Sequence, residues 1–367
     1  MNARFLSRLD DAHVLLADGA MGTNLFAAGL QTGDAPELWN VEHAERVEAL
    51  HTAFVKAGSD IVLTNSFGGT HYRLALHDAG SRVRELNLAA ARIARSAIER
   101  HSTRADEHRP LVAGSMGPTG EILAPNGSVS IEQARDAFRE QAEALAEGGV
   151  DLLWIETISS AEEIEAAVLG ASGLGLPVVY TVSIDTNGRT MMGLTPADTV
   201  SIVNRLDAGV QAMGTNCGVG AAEVVAAIRN FKTAFEASGT TLPLVAKANC
   251  GIPEWKGDSI VYNGTPDLMA EYAVMAADAG ARIIGGCCGT TPGHVAAMRQ
   301  ALDQRTPGPA PEADTIVKIL GDISTGALAQ MAGDLSVEGG SASGGNARNT
   351  RRRRRRPSPH SSPLPGG

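Results

Sequence analysis

The chain has 367 residues, 43% of them hydrophobic and only 4% aromatic, with 42 glycines, four cysteines and a formal net charge of −10. Seven positive charges sit in residues 348–367, which hold no acid, so residues 1–347 carry about −17, and an acidic body argues against a nucleic-acid-binding surface. The apolar content supports a sizeable core in one large domain or two ordinary ones. Nowhere does an apolar run approach the roughly 20 residues that cross a bilayer.

Residues 1–13 read as polar and charged, without the apolar core of a signal peptide, so a soluble, cytoplasmic protein with no membrane partner is expected. Short, nearly continuous apolar runs then recur at 14–20, 60–66, 110–117, 151–157, 177–185, 212–217, 243–250 and 283–288. Such runs read as strands buried on both faces. Helical segments separate them. Val47, Leu50 and Phe54 repeat at helical spacing, and Ser130 with Gln133 and Ser160 with Glu163 read as capping boxes. Thr195-Pro196, Thr265-Pro266 and Thr291-Pro292 each pair a capping threonine with a proline suited to the first helical position. Eight βα units within residues 1–305 predict an α/β fold of the (β/α)8 TIM barrel type, with a doubly wound open sheet as the alternative.

Residues 306–338 are expected to add one or two helices. Residues 339–367 are a Gly/Ser/Arg/Pro-rich, low-complexity tail that cannot bury enough apolar area to order itself. The run Arg351–Arg356 reads as a solvated positive segment, with nucleic acid, anionic lipid or an acidic partner face as the alternatives.

All four cysteines fall at the C-terminal ends of predicted strands: Cys217 after the sixth, Cys250 after the seventh, and Cys287 and Cys288 after the eighth. In a barrel those ends converge on the face that carries the active site. Adjacent cysteines are poor material for a disulfide framework, and no Cys-x-x-Cys pair suggests a redox dithiol. Thiols gathered at an open mouth suit Zn2+, which prefers soft thiolates and takes four ligands. Three protein thiolates leave one exchangeable position, where a substrate thiol binds as thiolate and becomes a nucleophile near neutral pH. A lone Cys250 reads as a small buried hydrophobe.

The chain resembles the zinc-dependent homocysteine S-methyltransferase family. The resemblance covers roughly residues 15–302 and rests on Asp18-Gly19-Ala20-Met21-Gly22-Thr23, Thr64-Asn65-Ser66-Phe67 and Gly114-Ser115-Met116-Gly117-Pro118. It continues through Glu156-Thr157, Asn216-Cys217-Gly218 and Gly285-Gly286-Cys287-Cys288-Gly289. It implies a homocysteine-binding barrel over 1–305 in which Cys217, Cys287 and Cys288 bind zinc and Asp18 and Glu156 serve the amino-acid end of homocysteine. Backbone amides near Gly19, Ala20, Met21 and Gly22 would receive its carboxylate.

The segments 33–40 and 249–254 are similar to bacterial members regarded as betaine–homocysteine methyltransferases, which places betaine first as methyl donor. Where the animal betaine enzyme has aromatics after the counterparts of Phe67 and Glu156, this chain has Gly68 and Thr157; Trp39, Phe67, Tyr72 and Trp255 are candidate replacements. The alternatives are a free-standing homocysteine module of a cobalamin-dependent methionine synthase system, with a corrinoid protein as partner, and an S-methylmethionine-dependent enzyme. No residue is assigned as general acid or base, although His71 and His294 follow strand ends. The expected partners are homocysteine and a small methyl donor. A homo-oligomer is left open.

Overall fold

A computed structural model describes residues 3–336 apart from 11–12, 106–107, 186, 252 and 257–258. The tail 339–367, with Arg351–Arg356, lies outside the described residues, as does the side chain of Trp255. Among the described residues ten strands occur in chain order: β1 (Leu15–Leu16), β2 (Ile61–Leu63), β3 (Leu111–Met116), β4 (Leu152–Ile158), β5 (Val178–Val182), β6 (Val210–Cys217), β7 (Leu244–Ala248), β8 (Pro253–Lys256), β9 (Ser259–Tyr262) and β10 (Ala281–Gly286). Eight form one parallel sheet in the order β1-β10-β7-β6-β5-β4-β3-β2, with helices between them. A parallel bridge between Ala17 and Ile61 joins the two ends, flanked by Asp60 N–H donating to Leu16 O and Asp18 N–H donating to Ile61 O. The fold is a (β/α)8 TIM barrel, as the alternation of apolar runs and helical segments predicts.

The two-residue period of a strand explains why the runs are apolar throughout. Leu15, Ala17, Ile61, Leu63, Leu111, Ala113, Leu152 and Trp154 point inward and fill the barrel in one cluster. Their neighbours Leu16, Val62, Val112, Leu153 and Ile155 point outward and pack under the helices. The N-terminal segment is more than polar chain: Ala3–Asp10 is a helix whose Phe5 and Leu9, four residues apart, join the interior cluster. At the same end, the Asp60 carboxylate accepts from Arg8 (2.7 Å), Arg104 (2.6 Å), Arg299 (3.1 Å) and Leu16 N–H (2.8 Å).

Local capping rules place most helix starts. Ser130 and Gln133 form the full capping box of the helix Ile131–Glu147, and Thr195 does so with Asp198 ahead of Pro196–Leu206. Ser160 caps Ala161–Ala171, but its box is only half made, because the Glu163 carboxylate turns to Thr119 and accepts from its N–H (2.8 Å) and hydroxyl (2.6 Å).

One departure from the sequence reading lies near the mouth, and the helices expected in 306–338 are present. Strands β8 and β9 form an antiparallel hairpin inserted after β7. The helices Ala313–Leu320 and Thr325–Met331 pack on the body: Ile316 and Ala327 join the main core, and the Gln330 amide donates to Gly188 O at 2.9 Å. Among the described residues, no helix is long and apolar enough to cross a membrane.

Candidate active site

Cys217 ends β6, Cys287 and Cys288 follow β10, and β7 runs between those strands. The barrel therefore brings the three sulfurs together, all within 4.8 Å of one another, with the Cys217 and Cys288 Sγ atoms 3.8 Å apart. A tetrahedral site with Zn–S bonds of about 2.3 Å has sulfur–sulfur edges of about 3.8 Å, so the Cys217–Cys288 separation matches one such edge and the three donors suit a zinc ion. Cys217 has the left-handed φ of 64°, uncommon for a residue with a side chain. Gly286 is required for a different reason: a Cβ there would lie 2.2 Å from Thr290 Cγ2, and Thr290 is fully buried.

The three thiols act on one another directly. Hydrogen bonds to Cys287 and Cys288, then burial, hold Cys217 protonated, while bonds from Cys217 and Cys287 pull the Cys288 thiol down. A dication is what lets all three ionise together. Cys250 stands apart. It is buried, donates from its thiol to Gly264 O (3.2 Å), and is not among the clustered sulfurs.

The sulfurs form one wall of a cavity of about 380 Å³. Gly19, Ala20 and Met21 line it from the turn after β1, Glu156 and Thr157 from β4, and Lys247 from β7. Close approach demands Gly19, where a Cβ would sit 2.5 Å from Thr290 O. The Glu156 carboxylate accepts from the Ser115 hydroxyl at 2.5 Å; burial raises its pKa, against the opposing pull of the Lys247 ammonium. Asp18 lies behind the cavity and is completely buried. Its Oδ2 accepts from Leu63 N–H (2.8 Å) and its Oδ1 is 3.5 Å from Lys247 Nζ. Burial pushes the Asp18 carboxyl up to about 6, and the Lys247 charge limits the rise.

Sequence reasoning missed Lys247. Burial works against its charge, but Asp18, Glu156 and Cys287 outweigh that and raise its pKa, and the ammonium also sits 5.3 Å over the Trp154 ring. A single lysine inside the apolar run 244–248 was the available signal. Asn216 was missed as well, although it opens the motif Asn216-Cys217-Gly218. Its amide meets Thr157, which is itself left-handed at φ 65°, as well as Thr181 and the Cys287 sulfur.

The remaining candidates are sorted by packing. Phe67 lines the cavity and is 37% exposed, whereas Trp39 is buried among Leu25, Leu30 and Val47. Tyr72 is half-buried against His71. Neither His71 nor His294 lines the cavity: His71 bonds Gly80 O, and His294 Nδ1 accepts from Thr291 N–H at 3.1 Å. His77 lines it instead, as do Glu37 and Arg73.

The chain is 31% identical over 314 residues to a methionine synthase of Mycobacterium leprae, covering 82% of this chain and 25% of that protein. A methionine synthase of Mycobacterium tuberculosis is 32% identical over 302 residues, covering 79% and 24%. The chain thus spans about a quarter of the length of these relatives. Among solved structures, the metallated form of the homocysteine methyltransferase MmuM from Escherichia coli superposes with a TM-score of 0.66 at 29% identity, covering 82% of this chain and 99% of that one. The family model for homocysteine S-methyltransferases matches residues 15–302, from β1 through the helix after β10, and the chain belongs to that family.

Proposed function

We propose that this protein transfers a methyl group, with zinc bound by Cys217, Cys287 and Cys288, from a small donor to the thiol of homocysteine, giving methionine. One observation carries the reading: three sulfurs within 4.8 Å of one another form the wall of a cavity that a buried carboxylate–ammonium set also lines. Zinc supplies a substrate sulfur that is a thiolate at neutral pH.

The chain's own residues do the rest. Glu156, exposed to the cavity and held by Ser115, receives the α-ammonium of homocysteine. Asp18 acts on that end from behind, by fixing Lys247. The turn Gly19, Ala20 and Met21, which leads into the helix Gly22–Ala27, receives the carboxylate. The substrate sulfur then displaces the donor in line: a carbon–sulfur bond forms as the carbon–nitrogen bond breaks, and the electron pair leaves on the amine. Orientation and exclusion of water supply the rate, and no side chain has to move a proton.

Betaine is the favoured donor. Its support is the likeness of segments 33–40 and 249–254 to bacterial betaine-type enzymes, together with Phe67 and the acids Asp34 and Glu37 on the cavity wall, which suit a quaternary ammonium. A second reading, a methyl group delivered by a corrinoid protein, is favoured by the exposed apolar side chains Phe26, Ile122, Met191, Met192 and Val219 on the segments that follow barrel strands. An assay with homocysteine and a donor panel of betaine, a dimethylsulfonium compound, S-methylmethionine and methylcobalamin tests both. Methionine from betaine alone supports the first reading, methionine from methylcobalamin alone supports the second, and no methionine from any donor overturns both.

A further inference from the structure

Asn216 is fully buried and directly precedes the first clustered sulfur. Its Oδ1 accepts from the Thr157 backbone N–H and the Thr181 hydroxyl, both at 2.8 Å. A backbone N–H can only donate, so the amide cannot be reversed without setting its NH2 against the Thr157 N–H. Its orientation is therefore dictated by β4. In that orientation Nδ2 donates to Thr157 Oγ1 at 2.7 Å and points at Cys287 Sγ at 3.8 Å. One side-chain amide thus joins the ends of β4, β5 and β6 to the sulfur that follows β10.

That contact bears on a chemical problem. Three cysteine thiolates and one substrate thiolate around a single ion are four sulfur nucleophiles within reach of one methyl donor. A neutral N–H directed at a thiolate lowers the energy of its lone pairs and makes it a poorer nucleophile. It also fixes the sulfur in place, the usual task of a group that hydrogen-bonds a metal ligand.

We propose that Asn216 is a positioning residue for Cys287: its amide N–H aims that sulfur at the metal and dulls it as a nucleophile, so that the methyl group goes to the substrate rather than to the enzyme. This inference rests on the zinc reading above.

The test uses the full chain loaded with zinc or cobalt(II), comparing wild type with Asn216→Ala and Asn216→Asp. Zinc affinity by chelator competition should fall about 10–100-fold in both variants. In the cobalt proteins, losing the hydrogen bond raises the sulfur lone pairs, so the sulfur-to-metal charge-transfer band should move to longer wavelength. Zinc-loaded Asn216→Ala exposed to methyl iodide should accumulate S-methyl-Cys287, read by peptide mass spectrometry, faster than wild type does.

Should the variants not fold, wild type alone decides: with cadmium bound, NMR should show coupling between the metal and the Asn216 side-chain amide protons across the sulfur. Absence of that coupling, or unchanged zinc affinity and an unchanged charge-transfer band in folded variants, overturns the inference while leaving the zinc site standing. Wild type that takes up neither metal overturns the functional reading and this inference together.

Discussion

The Sγ atoms of Cys217 and Cys288 stand 3.8 Å apart although 71 positions separate the residues in the chain. Strand β7 lies between their strands, so only the convergence of strand ends at the barrel mouth makes the contact. Removing one of three such sulfurs should cost more than losing an outer hydrogen bond to a ligand, which alone weakens metal binding about 10–100-fold. Cys217→Ala is therefore expected to lose stoichiometric zinc and methyl transfer together. Cys250→Ser should keep both, because Cys250 spends its thiol on Gly264 O, outside the cluster. Elemental analysis of the reduced proteins checks the pair; full zinc and full turnover in Cys217→Ala would refute the site.

Acid sensitivity should trace in part to His51. Neither ring nitrogen has a hydrogen-bond partner, and burial pushes its pKa down from 6.5 to about 4. Between those values the unfolded chain binds the proton and the folded chain does not, so stability falls as pH drops through that window. The effect amounts to about 2 kcal/mol between pH 7 and pH 5. His51→Leu should flatten that part of the profile, as measured by urea unfolding at the two pH values. An equal loss in mutant and wild type would show that other groups carry the acid response.

The barrel was legible because strands buried on both faces must be apolar at every position, and Leu15 to Ala17, Ile61 to Leu63 and Leu152 to Ile155 obey that demand. The sulfurs were legible because cysteine at a strand end, flanked by glycine, has few purely structural uses. What escaped depends on partners far away in the chain. Lys247 is meaningful only beside Asp18, 229 positions away, and Asn216 only beside Cys287, 71 positions away. Glu163 fits a local capping rule, yet Thr119 on a neighbouring loop competes successfully for its carboxylate. Phe5 and Leu9 are spaced as one helical face, but charged neighbours mask them until the open end of the barrel supplies a surface.

The Lys247–Asp18 pair should be strongly coupled. Both groups are nearly or fully buried, and removing one partner of such a pair typically costs about 3–5 kcal/mol because the other charge is stranded. Lys247→Met alone and Asp18→Asn alone should each destabilise the fold, and the double variant should cost clearly less than their sum. Denaturant unfolding of the four proteins gives the coupling. Strict additivity would mean that the 3.5 Å contact has no energetic content.

Glu156→Gln separates binding from chemistry. The substitution keeps the shape and a hydrogen-bonding group for Ser115 but removes the negative charge facing the cavity. If that charge holds the substrate ammonium equally in the ground and transition states, its loss raises KM and leaves kcat nearly unchanged. A charge-assisted hydrogen bond contributes about 1.5–3 kcal/mol, so kcat/KM for homocysteine should fall about 10–150-fold while zinc content stays at the wild-type level. Simple thiols without an amino group should be processed equally by both proteins, because they never use the carboxylate. A fall in kcat with an unchanged KM would instead place Glu156 at the reacting sulfur, and the ammonium would need another anionic partner.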